Sequence, residues 1–176
     1  MDFTEKTLQK NYVYKGKIIT LRNDDALLPN GKPCKREIIE HPGGACVLCA
    51  NEQGVLLVKQ YRYAYGECVY EIPAGKLEKG EDPMLAARRE LEEEAGITAG
   101  KLTLLYVIYP TPGYTDEKIY LYEAADCVEA ASHPDEDEFL TTEYVSVERI
   151  KEMLRLGQFN DSKTIIALQA YLLKNA

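Results

Sequence analysis

One capped helix set among strands constrains this chain most. In GKLEKGEDPMLAARRELEEEAGI, Gly75 to Ile97, Asp82 is a good N-cap, Pro83 a good first helical residue and Gly96 a good stop. The spacing predicts a helix from Pro83 to Ala95. At about 100° per residue, Met84, Ala87, Leu91 and Ala95 form one apolar stripe that should face a sheet. Glu90, Glu93 and Glu94 group on the flank of that stripe, and Glu92 falls on the solvent side. Ala86, one turn before Glu90, leaves room beside the cluster. Like charges at this spacing cost roughly 0.2–0.5 kcal/mol per pair. Sheltered carboxylates must either protonate or take up a cation, and oxygen-only ligands suit Mg²⁺ or Mn²⁺. The plainer reading is a solvated charge face paired with Arg88 and Arg89.

The sequence on either side of the helix reads as strands. NYVYKGKIITLRNDDALLPNGKPCKREIIEH has three β-rich runs and a Pro-Asn-Gly turn, which predicts a small N-terminal antiparallel sheet. Pro42-Gly43-Gly44 marks a boundary, giving an N-terminal segment 1–42 and a main domain 43–176. ACVLCA, VLLVKQYRY, CVYEIPAG, KLTLLYVIYP and EKIYLYEAAD follow as strands. SHPDEDEF is an acidic loop, and VERIKEMLRLG and DSKTIIALQAYLLKNA have helical period. The fold class is mixed α/β (α+β), with helices on both sides of a mixed sheet.

Composition removes several functions. At 176 residues and 45% hydrophobic, the chain can bury a real core. A net charge of -8 argues against nucleic acid as a partner. No apolar run reaches the length of a membrane span. Five cysteines, an odd number in a chain without a signal peptide, read as reduced thiols of a cytoplasmic protein. Cys46 and Cys49 sit three apart on a strand, so they point to opposite faces. With two histidines in the chain, the ligand supply argues against zinc.

Gly75, Glu81, Arg89, Glu90, Leu91, Glu93, Glu94, Gly96 and Ile97 reproduce the pattern G-x5-E-x7-R-E-U-x-E-E-x-G-U, with U aliphatic. The chain therefore resembles the Nudix hydrolases. The resemblance implies an α/β/α sandwich whose loop-helix-loop motif binds divalent metal. It also implies cleavage of a nucleoside diphosphate linked to another moiety. It makes Glu90 and Glu94 the main metal ligands, with Glu93 in support and the Ala74 carbonyl completing the shell. Arg89 and Glu81 become orienting residues, and Gly75 and Gly96 backbone positions. Mg²⁺ is the expected ion, with Mn²⁺ an alternative.

Residues outside the motif resemble the ADP-ribose pyrophosphatase branch, from about Tyr12 to Leu173. Thr111, Pro112 and Gly113 match its S/T-P-G loop, and HPDEDEF its catalytic loop. The N-terminal strands match a swapped dimerisation sheet, so a homodimer is expected. Carried over, Arg36 and Glu37 reach into the partner's site. Arg62 grips the pyrophosphate with its planar fork, and Glu117 binds the terminal ribose. Glu136, then Glu138, is the candidate base for the attacking water. For each there is a bland counterpart: edge-strand charge, a surface ion pair or an acidic loop. The branch's base-stacking aromatic has no fixed counterpart, since Lys17-Ile18-Ile19 follows Gly16 and only Tyr12 and Tyr14 lie near. The expected reaction is ADP-ribose to AMP and ribose 5-phosphate. Alternatives are other NDP-sugars, a dinucleotide, an oxidised nucleotide, or a sensor that binds ADP-ribose without cleaving it.

Overall fold

The computed structural model describes residues 2–133 and 139–175. They divide into two compact units, Met1–Gly43 with Tyr109–Lys118, and Gly44–Ile108 with Ile119–Ala176.

The first unit is an antiparallel sheet of β1 (Lys6–Gln9), β2 (Tyr12–Lys15), β3 (Thr20–Leu27) and β4 (Pro33–Glu40). The sequence predicts three strands here, but YVYKGKIITL turns at Gly16, whose N–H donates to the Ile19 carbonyl. Thr20 and Leu21, the end of that run, then continue through Arg22 and Asn23 into DDAL as the single strand β3. Its buried side is polar: Arg22 pairs with Asp24 at 3.2 Å and Glu40 at 2.6 Å. The unit's exposed apolar groups include Leu8, Tyr12, Val13 and Tyr14.

The second unit begins with β5 (Gly44–Leu48), β6 (Ala50–Asn51), β7 (Gly54–Arg62), β8 (Glu67–Glu71) and β9 (Ala74–Lys76). Helix α1 (Pro83–Ala95) follows, then β10 (Ile97–Ile108), β11 (Ile119–Glu129), β12 (Leu140–Val145), α2 (Val147–Arg155) and α3 (Ser162–Lys174). One sheet has the order β10-β11-β5-β9 and is mixed, with β11 parallel to β5. A second holds β12-β7-β6, with β8 also on β7. Strand β12 is an addition to the strands read from sequence, although LTTEYV carries β-branched residues. CVYEIPAG is interrupted because Pro73 has no N–H for a ladder.

Every residue of β5 is buried, because both of its faces are covered. Ala45, Val47 and Cys49 pack with Ala86, Ala87 and Leu91 of α1. Cys46 and Leu48 pack with Ile150 of α2 and Ala167 and Leu168 of α3. This is the expected sandwich, and the two cysteines do face opposite ways. The apolar stripe of α1 needs correction. Met84 is 42% exposed, while Ala86 is fully buried alongside Ala87 and Leu91. The buried face is thus turned toward the carboxylate flank, and Glu90 and Glu94 go down with it.

Candidate active site

The ends of α1 form as its residues dictate. Asp82 accepts from the N–H groups of Met84 and Leu85, and Gly96 closes the helix at φ 61°. The site is built where α1 lies against β9. A Cβ on Gly75 would fall 2.0 Å from the Glu90 carboxyl carbon, so the missing side chain is the cradle in which that carboxylate sits. One residue earlier, the Ala74 N–H donates to Glu94 Oε2 at 3.0 Å. Two carboxylates one turn apart are therefore held against a single stretch of strand.

Arg89 ties the cluster together. Its Nε and Nη2 donate to the two oxygens of Glu81 at 3.0 and 3.1 Å. Its Nη1 donates to Glu90 at 2.7 Å and Glu93 at 2.8 Å. The Arg89 hydrogen bonds hold the Glu81 carboxyl below its ordinary value, and Glu81 foremost raises the guanidinium. Among the described residues no three or more His, Cys, Asp or Glu side chains are grouped as a metal site; Arg89 stands between Glu90 and Glu93 instead. The donor set is all oxygen, and the Gly75 cradle presents it on one edge, so these residues fit a hard divalent cation. Glu92 is exposed, as expected.

The same unit holds a second charged cluster. Arg62, at the end of β7, donates from Nε and Nη2 to the Glu71 carboxylate at 2.5 and 2.7 Å. Lys163 also bonds Glu71 and pairs with Asp161 at 3.0 Å. Burial would raise the Glu71 carboxyl, but Arg62 and Lys163 outweigh it and hold the group low. Burial would likewise lower Lys163, yet Asp161 and Glu71 raise it. Nothing in the sequence singles out Glu71, Asp161 or Lys163. Glu71 and Lys163 are 92 positions apart, and isolated charges carry no period.

Arg36, Glu37, Thr111 to Gly113 and Glu117 belong to the first unit. Arg36 forks onto Glu5 at 2.8 and 2.5 Å, and Glu37 is exposed. Thr111 to Gly113 open a tight turn in which Tyr114 and Thr115 donate to the Thr111 carbonyl. Thr115 makes a parallel bridge to Ile39, which fixes that loop to the edge of β4. Glu117 stands 3.5 Å from His41. Glu136 and Glu138 lie outside the described residues. The segment before them is anchored, with the His133 N–H donating to the Glu93 carbonyl at 3.0 Å.

A sandwich that presents clustered carboxylates from one helix against a glycine-bearing strand is the arrangement that the motif's resemblance implies. Comparison with known proteins agrees. Residues 40–168 match the NUDIX domain, and residues 5–39 match the nucleoside diphosphate sugar hydrolase N-terminal domain. The chain is 43% identical over 175 residues to the ADP-ribose pyrophosphatase of Bacillus subtilis (strain 168), covering 98% of this chain and 95% of that protein. It is 41% identical over 177 residues to the methanol dehydrogenase activator of Bacillus methanolicus, covering 99% and 96%. The solved structure of an ADP compounds hydrolase shares its fold, with a TM-score of 0.84 at 22% identity over 99% of this chain and 95% of that one. The chain belongs to the Nudix family. It is a pyrophosphohydrolase of that family, a class that works with divalent metal ions.

Proposed function

We propose that this protein hydrolyses ADP-ribose to AMP and ribose 5-phosphate with Mg²⁺, Mn²⁺ serving as an alternative. The observation that carries this reading is the cradle of Gly75 and Ala74 around Glu90 and Glu94, in a chain similar over nearly its whole length to an ADP-ribose pyrophosphatase. Glu90, Glu93, Glu94 and the Ala74 carbonyl would hold the cation. Bound there, it neutralises diphosphate charge and acidifies water.

The chain's own groups do the rest. Arg62 meets the diphosphate with the Nη1 edge that its fork onto Glu71 leaves available. Glu136, or Glu138 in its place, takes a proton from the attacking water, whose oxygen joins phosphorus as the bridging P–O bond breaks. The hydrogen bond from His133 to Glu93 supports that role, because it starts the acidic segment at the last turn of α1. Thr111, Pro112, Gly113 and Glu117 are assigned to the substrate by resemblance, as are Arg36 and Glu37 across a homodimer. The exposed apolar side chains of β1 and β2 support a dimerising segment 1–42. The cytoplasm is the expected location by resemblance. No described helix is long and apolar enough to cross a membrane.

One observation favours a second substrate, another nucleoside diphosphate sugar. Lys15 Nζ lies 4.6 Å from the centre of the Tyr12 ring, and the Tyr14 ring lies over Gly16. Both rings touch their own hairpin yet stay half-exposed, so neither is singled out for adenine. Incubation with ADP-ribose, other NDP-sugars, NADH and 8-oxo-dGTP, with Mg²⁺ or EDTA, separates the readings. Metal-dependent AMP release from ADP-ribose is expected. Strong turnover of a different compound alone removes the substrate reading, and binding without turnover favours a sensor.

A further inference from the structure

The Arg62 cluster has more structure than a surface ion pair needs. Glu71 is 4% and Lys163 8% exposed, while the Arg62 side chain is 41% exposed. A buried carboxylate is costly unless its lone pairs are satisfied. Here two cations satisfy them: Arg62 through a bidentate fork and Lys163 from the first turn of α3. Asp161, the N-cap of α3, balances the second cation and also accepts from the Thr164 N–H and hydroxyl. The Thr164 hydroxyl in turn accepts from the Ile72 N–H at 2.9 Å. The first turn of α3 therefore grips Glu71 and Ile72 together. Two residues further along is Ala74, whose N–H holds Glu94. One short segment thus fixes both the arginine and a metal-site carboxylate.

We propose that Glu71, anchored by Lys163, Asp161 and Thr164 of α3, is a positioning residue that aims the Arg62 guanidinium at the substrate diphosphate. With Nε and Nη2 committed to Glu71, the half-exposed guanidinium presents its Nη1 edge in one orientation. Lys163 shares the charge of Glu71, so Arg62 keeps attraction for a phosphate. This rests on the reading of Arg62 as a diphosphate ligand.

The test is a double-mutant cycle read by calorimetric binding of ADP in Mg²⁺, alongside kcat and KM for ADP-ribose. Arg62→Lys and Glu71→Gln should each weaken ADP binding about tenfold, and the double variant should be no weaker than the worse single one. KM should rise while kcat changes less than about twofold. Glu71→Asp keeps the charge but withdraws the carboxylate by one methylene; it should stay folded, with a melting temperature somewhat below wild type, and still weaken ADP binding. Additive losses in the cycle, or unchanged ADP binding by folded Glu71→Asp protein, overturn the proposal. Wild-type protein that binds ADP yet releases no AMP from ADP-ribose removes the substrate reading and leaves this one standing if the cycle is coupled.

Discussion

The second unit contains two charged clusters of opposite construction. One is local: Glu81, Arg89, Glu90, Glu93 and Glu94 come from a loop and the helix that follows it, within fourteen residues of each other. The other joins β7, β8 and the start of α3, with Glu71 and Lys163 ninety-two positions apart. The local cluster has an excess of carboxylates over its one arginine. The distant cluster is balanced, with Arg62 and Lys163 against Glu71 and Asp161. In the proposed reading the carboxylate-rich set takes up a cation, whereas the balanced set holds a shape and aims Arg62.

That contrast can be broken most severely at Glu94. Glu94→Gln should lower kcat by about a thousandfold while the melting temperature stays near wild type, since the amide retains the acceptor for the Ala74 N–H. Full activity would remove Glu94 from the metal site.

The two N-caps offer the next comparison. Asp161→Ala should destabilise by about 2–3 kcal/mol, because it leaves Lys163 and the Thr164 hydroxyl short of a partner in a buried place. Asp82→Ala removes an exposed cap and should cost about 1 kcal/mol. Equal losses in urea unfolding would mean the distant cluster holds nothing beyond a helix end.

Metal sensitivity should separate the clusters too. Mg²⁺ at a hundred times its Kd should stabilise wild-type protein by about 2.7 kcal/mol. Glu94→Gln should lose that gain and Asp161→Ala should keep it. A scanning-calorimetry series with EDTA as the blank measures this.

The smallest effect is in pH. Glu71 and Glu81 are both held below the ordinary carboxyl value of 4.5. Their contribution is full above that value and is lost as pH falls through the depressed folded values. Melting temperature should therefore fall below about pH 4.5, and Glu71→Gln should flatten part of that fall.

The local cluster was legible because its information is close along the chain. Asp82, Pro83 and Gly96 bound α1, and helical phase separated Glu92 from its neighbours. Phase still misjudged Met84, since the direction a helix turns depends on what it packs against. Ala86 and Ala87 allow close approach to β5 and draw the carboxylate flank inward. Strand β12 and the break at Pro73 also escaped, because pairing partners supply part of what makes a strand.

The sequence by itself therefore pointed to the chemistry: the carboxylates and the helix caps lie within twenty-three residues, where helical phase relates them to one another. It also determined the layered fold class, through alternation and helical period. Only the tertiary structure decided that Gly75 receives Glu90, that Thr115 bridges to Ile39 and that Lys163 meets Glu71. Those contacts join segments whose separation along the chain carries no periodic signal, and burying them is favourable only once the sheets and helices have packed.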